Sequence, residues 1–294
     1  MKKYRSGERI LDISINIFLV FIGVLCMYPI WYVLIASISS PTALAAGEVL
    51  LFPKDITFSA YQTLFKNNLI WIGYKNSIIN TTLSCILDTA VMALCAYALS
   101  RRSLPGRSFF MLLFVITMYF SGGLIPQYLL NNSLGLVNTR WVLIIPGCVN
   151  VYNMILAKSY FENNVPDSLF DAARIDGASY TRFFIKIVLP VSGAILAIIA
   201  LFSITIHWNA YLGAQMYLYD EELYTLQQVI KMLTASVSSA LAESLSGDEL
   251  ARIIMEKSLI KYAVVIVGSI PLVIAYPFVQ KYFVRGVMVG AVKG

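Results

Sequence analysis

Six stretches of this chain stay apolar for about the length of a membrane-crossing helix, roughly 20 residues. They cover residues 13–37, 76–99, 108–130, 141–161, 185–208 and 259–283. In hydrocarbon every backbone N–H and C=O needs a partner within the protein, so only helices and closed barrels span. Period-two alternation is absent from the runs, which sets the barrel aside and predicts a helix for each. Composition agrees: 59% of the 294 residues are hydrophobic and 13% charged, against roughly a quarter charged in soluble domains. The mean hydropathy is +0.74. The expected fold class is an all-α membrane protein with six transmembrane helices in the lipid bilayer.

Orientation follows from Lys and Arg, which are retained on the cytoplasmic side. Lys2, Lys3, Arg5 and Arg9 precede the first run. Arg101, Arg102 and Arg107 lie between the second and third. Lys158, Arg174, Arg182 and Lys186 flank the connection between the fourth and fifth, and Lys281, Arg285 and Lys293 end the chain. The opposite side holds fewer: Lys54, Lys66, Lys75, Arg140, Lys231, Arg252, Lys257 and Lys261. Both termini are therefore expected in the cytoplasm, as an even number of spans requires. The net charge of +6 serves this topology and implies no nucleic acid. The expected organisation is a cytoplasmic segment 1–12, a transmembrane domain 13–283 and a cytoplasmic tail 284–294. The first run follows a basic segment, and Ala43-Leu44-Ala45 has the form of a signal-peptidase site. The run is longer than a signal-peptide core, so it is read as a span.

Two external loops are long, 39–75 and 209–258. Residues 223–233 and 239–256 of the second have helix-like apolar spacing. A docking surface and a self-contained cap both fit this pattern. Cys26, Cys85, Cys95 and Cys148 each lie in an apolar run with no CxxC pair. They read as small packing residues rather than a disulfide framework or zinc site.

The loop 162–184, between the fourth and fifth runs, carries the most information. It holds Pro166-Asp-Ser-Leu-Phe-Asp-Ala-Ala-Arg-Ile-Asp-Gly-Ala178. Ser168 with Asp171 approximates a capping box, the apolar spacing predicts a short helix, and Gly177 suits the left-handed position that ends one. Tyr180 to Pro190 then leads into the fifth span. Such a helix exposes apolar side chains on the cytoplasmic side. It either packs on its own bundle or lies in the groove of another protein.

Asp171-Ala-Ala-x-x-Asp-Gly-Ala178, followed by Phe184 and Ile187-Val-Leu-Pro190, resembles the EAA loop of ABC importer permeases, with Asp171 in place of the usual Glu. Ala96-Tyr-Ala-Leu-Ser-Arg101, Leu104-Pro-Gly-Arg107, Ser121-Gly-Gly-Leu-Ile-Pro126, Leu134-Gly-Leu136, Asn138-Thr139, Trp208-Asn209 and the final stretch from Gln280 to Gly294 are similar to the carbohydrate-uptake branch. Within it, the likeness is to the group related to the second permease of the maltose system, and there to the LplC-type polysaccharide permeases. The resemblance implies a permease that moves an oligosaccharide across a bacterial cytoplasmic membrane by alternating access. It implies as partners a second permease, two ATP-binding subunits and an external solute-binding lipoprotein or periplasmic protein. It also implies contact with the ATPase through Asp171, Ala172, Ala173, Asp176, Gly177, Ala178, Leu189 and Pro190. The chain itself lacks a Walker-type phosphate loop, so ATP and Mg are expected on the partner ATPases and no cofactor on this chain.

Polar residues within the runs are candidates for the substrate pathway: Asn150, Tyr152 and Asn153 in the fourth, and Trp208, Asn209 and Tyr211 at the outer end of the fifth. Amides can bond sugar hydroxyls and aromatic faces can pack on sugar C–H surfaces. The same residues also serve as helix–helix contacts in membranes. His207, the only histidine, excludes a His-pair metal site and reads as an interfacial residue. Asp88 lies near the middle of the second run, where a carboxylate is costly. A structural hydrogen bond, a cavity lining and a proton-coupled secondary transporter are the readings it permits. An importer of a non-sugar solute is a further alternative. A membrane enzyme would need a nucleophile–base set or paired acids, and the runs offer neither.

Overall fold

The computed structural model describes residues 6–239 and 259–277, and among these the secondary structure is entirely helical. The basic residues Lys2, Lys3, Arg5, Arg252, Lys257, Lys281, Arg285 and Lys293, all but the first residue of the expected helical stretch 239–256, and the C-terminal stretch from Gln280 lie outside them. The chain divides into two compact units, Met1–Asn68 with Met232–Ile270, and Leu69–Lys231 with Pro271–Gly294.

The first unit is built on α1 (Ser6–Ser37), followed by the short α2 (Pro41–Ala45) and α3 (Ser59–Lys66). Along α1 the side chains from Leu11 to Trp31 are exposed, as suits a helix facing lipid or a second subunit, while Ile35, Ala36 and Ser37 at its end are buried. The loop after α1 is tied back by polar contacts. Ser39 Oγ donates to Ile35 O (2.7 Å) and accepts from Lys54 N (3.2 Å), while Tyr28 Oη and Trp31 Nε1 donate to the carbonyls of Leu50 and Leu51. Ser40 caps α2 through Ala43 N, with Pro41 in the first turn, where its missing N–H costs nothing.

The second unit centres on α4 (Asn68–Ser100). It continues through α5 (Arg107–Tyr119), α6 (Leu124–Ser133), α7 (Trp141–Ile144), α8 (Val151–Asn164), α9 (Asp167–Ile175), α10 (Tyr180–Phe183), α11 (Leu189–Val191), α12 (Gly193–Asn209) and α13 (Leu212–Tyr217). The helices α14 (Leu226–Ser239) and α15 (Leu259–Pro277) follow and contribute to both units. Helix α14 covers most of the 223–233 stretch expected to be helical. The core gathers Met92, Ala93, Ala96 and Leu99 of α4 against Met154, Ala157 and Phe161 of α8, Phe183, Phe184 and Val188, and Ile195 and Ile199 of α12.

The structure departs from six uninterrupted spans. Among the described residues, three helices are long and apolar enough to cross a membrane, namely α1, α4 and α15. Two bent pairs raise this to five: α5 with α6 turns by 115°, and the segment Tyr180–Val191 with α12 turns by 81°. The first bend falls at Gly122-Gly123, where Gly123 has φ +88°. The second follows a π-helical turn, Phe184–Val188. Pro190 has no N–H for the carbonyl of Lys186, so the α register fails there. The run 141–161 is divided at Pro146-Gly147, and α8 has 14 residues. That gives it a length of about 21 Å, short of the roughly 30 Å hydrocarbon core.

One face of the N-terminal third of α4 is a polar seam, with Gly73, Asn76, Ser77 and Asn80 at i, i+3, i+4 and i+7. Asn76 Nδ2 donates to Glu222 O (2.7 Å) and Tyr224 O (3.0 Å), and Ser77 Oγ accepts from Leu226 N (2.8 Å). Arg140 donates to the side-chain oxygens of Asn76 and Asn80, both at 3.3 Å. The segment 222–226 is thereby held on α4 as a cap. Gly73 permits this approach, because a Cβ there would lie 2.9 Å from Leu226 Cα. Alanine normally improves a helix over glycine. At position 73 the sign reverses: Gly73→Ala is expected to cost about 1–3 kcal/mol through overpacking, read as a lower thermal unfolding midpoint of the detergent-solubilised protein.

Candidate functional site

Helix α9 is the short helix expected in loop 162–184, and its ends show why it forms. Pro166 is its N-cap, and the capping box expected from Ser168 and Asp171 is not made. The helix starts at Asp167, which places Ser168 inside the first turn, too late to cap it. Asp167 in the first turn and Arg174 in the last complement the helix dipole instead. At the other end Gly177 has φ +75°. Ala178 N donates to Ala173 O (2.9 Å) and Gly177 N to Arg174 O (3.0 Å), the two bonds of a Schellman motif.

This geometry separates the paired alanines. Ala173 is 6% exposed and packs into the core, while Ala172 faces outward with Asp171 and Asp176. Ala178, half-buried, packs against the same core. Leu169, Ala172 and Ile175 form one exposed apolar edge, with Ile175 88% exposed. Phe170 is wedged between Tyr180 (ring centroids 4.8 Å apart) and Phe183 (5.1 Å). Asp171, Arg174, Phe170 and Tyr180 line a cavity of about 240 Å³ together with Tyr97 and Arg101. Leu189 is half-buried and Pro190 exposed at the π-helical turn. Arg101, which in the sequence counts only toward orientation and the motif at 96–101, donates to Val165 O (3.0 Å) and Asp167 Oδ1 (3.1 Å). Its signal was present in the motif at 96–101, but a motif does not name its contacts.

The pathway candidates do not converge on one surface. Asn150 caps α8 through Asn153 N, and Asn153 is 3% exposed. Tyr152 faces outward at 61%. Trp208 is 4% exposed and lies beside Tyr74, at 6.5 Å between ring centroids. Asn209 Nδ2 donates to Thr205 O (2.8 Å), and the Lys231 ammonium sits 5.1 Å from the Tyr211 ring centroid.

His207 is largely buried against Asp88. Its side chain is 10% exposed and its Nε2 lies 2.9 Å from Asp88 Oδ2. Ser203 Oγ donates to the same oxygen at 2.5 Å. Asp88 therefore joins the middle of α4 to two successive turns of α12. Its Oδ1 meets no hydrogen-bond partner among the described residues, and neither do the hydroxyls of Thr81, Ser84 and Thr89. Sequence spacing could not find this pair, whose members are 119 residues apart.

Long and bent apolar helices, with a short amphipathic helix projecting from a packed connection, define a membrane-embedded transport component. The chain belongs to the family of binding-protein-dependent transport system inner membrane components, whose profile matches residues 70–289. It is 36% identical to the polygalacturonan/rhamnogalacturonan transport system permease protein YtcP of Bacillus subtilis (strain 168), over 98% of this chain and 99% of that one. It is 33% identical to protein LplC of the same organism, over 100% and 98%. Its fold is similar to a chain in the crystal structure of a bacterial ABC transporter involved in the import of the acidic polysaccharide alginate. The TM-score there is 0.80 at 32% identity, covering 96% of this chain and 100% of that one.

His207→Ala would leave a buried carboxylate held by Ser203 alone. The expected loss is about 1–3 kcal/mol, as for a buried polar group deprived of a hydrogen-bond partner. Asp88→Asn keeps an acceptor for Ser203 and is expected to cost less; thermal unfolding in detergent would order the two.

Proposed function

We propose that this chain is one permease subunit of an ATP-driven oligosaccharide importer of the bacterial cytoplasmic membrane, and that α9 is the helix through which a separate ATPase drives it. The observation that carries this reading is the exposed apolar edge Leu169, Ala172 and Ile175 on a helix that meets the core through Ala173 and Phe170. Exposed apolar surface next to charged residues suits a groove on a soluble partner. The Schellman end holds the helix as a stiff projection, so a displacement of the groove reaches the bundle. Asp171 and Asp176 lie on the outward side as polar contacts, and Gly177, Ala178, Leu189 and Pro190 shape the return of the chain into the bundle.

In this proposal the chain crosses the membrane six times with both termini in the cytoplasm, the divided run 141–161 supplying one crossing together with irregular backbone packed inside the protein. Non-helical backbone at that depth is tolerated where protein surrounds it. The further partners are a second permease, two ATP-binding subunits that hold ATP and Mg, and an external solute-binding protein. Closure of the ATPases on ATP biases a two-state equilibrium of the permeases from inward-facing to outward-facing. The relatives' names support an oligosaccharide as cargo, ranging from polygalacturonan and alginate to arabinooligosaccharides. Asn150, Tyr152, Asn153, Trp208, Asn209 and Tyr211 remain pathway candidates, of which Tyr152, Asn209 and Tyr211 have the exposure to meet a sugar. Asp88, bonded to Ser203 and His207, is read as a structural tie rather than a proton carrier.

The test is co-purification of the assembled importer. Wild type is expected to retain the second permease and the ATPase. Ile175→Glu, which charges the apolar edge, and Gly177→Pro, which cannot adopt φ +75°, are expected to lose the ATPase and keep the second permease. Retention of the ATPase by both variants would remove α9 from the interface.

A further inference from the structure

Helix α9 is weakly gripped by apolar packing. Of its nine residues, only Ala173 is buried and Phe170 half-buried. It is joined to α8 by Val165-Pro166 alone, a connection that by itself would let a pushed helix rock. The polar contacts at this corner supply what packing does not.

Arg101 follows the last residue of α4, and its side chain is 14% exposed. The guanidinium donates to Phe161 O (3.5 Å), in the final turn of α8, and to Val165 O (3.0 Å), on the residue that caps its C-terminus. It also donates to Asp167 Oδ1, on the first residue of α9 (3.1 Å), and through Nε to Ser100 Oγ (3.2 Å). Its carbon lies 5.0 Å from the centroid of the Tyr97 ring, and Tyr97 in turn packs on Phe161 (5.9 Å) and Phe184 (4.9 Å). One planar fork thus touches the ends of α4 and α8 and the start of α9. A second arginine braces the same corner: Arg107 Nε donates to Leu99 O (2.7 Å), and its guanidinium bonds Glu162, which also pairs with Lys158 (2.9 Å).

We propose that Arg101 is the positioning residue that makes α9, α8 and α4 move as one body, so that displacement of α9 becomes displacement of the transmembrane helices. The proposal rests on the reading of α9 as the ATPase contact. The contacts that matter are those to the carbonyls of Phe161 and Val165, both buried residues at the C-terminal, negative end of the α8 dipole. The pair with Asp167 is secondary, because that side chain is 72% exposed and surface pairs contribute little. Lysine cannot replace the fork, since a single ammonium does not reach Val165, Asp167 and the Tyr97 face together.

The experiment uses the complete importer in proteoliposomes, measuring sugar transported per ATP hydrolysed and the ATPase retained on purification. Arg101→Gln and Arg101→Lys are expected to keep the ATPase and go on hydrolysing ATP, while transport per ATP falls by about tenfold, the ratio set by losing a charge-assisted hydrogen bond in a two-state equilibrium. Asp167→Asn is expected to stay within about twofold of wild type. If the glutamine variant is lost to misfolding, the lysine variant, which keeps charge and stem, decides. Unchanged stoichiometry in the lysine variant would overturn the proposal, and so would loss of the ATPase from an otherwise assembled variant, which would make Arg101 a docking residue. Retention of the ATPase by Gly177→Pro, with stoichiometry unchanged, would instead remove α9 from the ATPase interface and this proposal with it.

Discussion

A backbone N–H or C=O without a partner costs several kcal/mol in hydrocarbon, and this cost governs where the helices of this chain can break. Each interruption carries its own local bonds. Phe120 N donates to Ile116 O before the bend at Gly122-Gly123. Cys148 N donates to Ile145 O across Pro146-Gly147, and Asn150 caps the helix that follows. Ser192 N reaches the carbonyls of Val188 and Leu189 at the 81° turn. The chain bends only where proline, glycine or a capping amide makes the bend affordable, and those bends shape the bundle around α4.

Helix α4 is the member to which the other ties run. Near its start the seam of Gly73, Asn76 and Ser77 holds the 222–226 cap. At its middle Asp88 binds Ser203 and His207 of α12, and just past its end Arg101 binds α8 and α9. A buried polar side chain is tolerated when it is hydrogen-bonded, and Asp88 Oδ2 meets both Ser203 and His207. Polar ties are directional, whereas the apolar packing between them permits sliding. A helix held at three levels is suited to carrying motion along its length without changing its own shape.

The coupling corner combines two sorts of stiffness. The Schellman end of α9 and the aromatic wedge of Phe170, Tyr180 and Phe183 are local devices, made by residues within one connection. The arginine fork is non-local and joins segments 60 or more residues apart. A protein that transmits force needs both, because a rigid lever on a loose hinge transmits nothing.

The sequence by itself determined the membrane class, the apolar runs and the short helix in loop 162–184. Those depend on composition over about 20 residues and on local chemistry such as the glycine at 177. Gly177 was legible because its left-handed role is set by adjacent residues. Ser168 misled because a capping pattern fits several registers, and Pro166, by starting the helix earlier, fixed another. Hydropathy could not locate the bends at Gly123 and Ser192 or the division at Pro146, since a run keeps its apolar character whether or not its axis turns. Tertiary structure alone decided that His207 meets Asp88, that Gly73 admits Leu226 and that Arg101 spans three helices. Each of these pairs side chains or backbone far apart in the chain, and their energies arise only when folding brings them within hydrogen-bond or van der Waals reach.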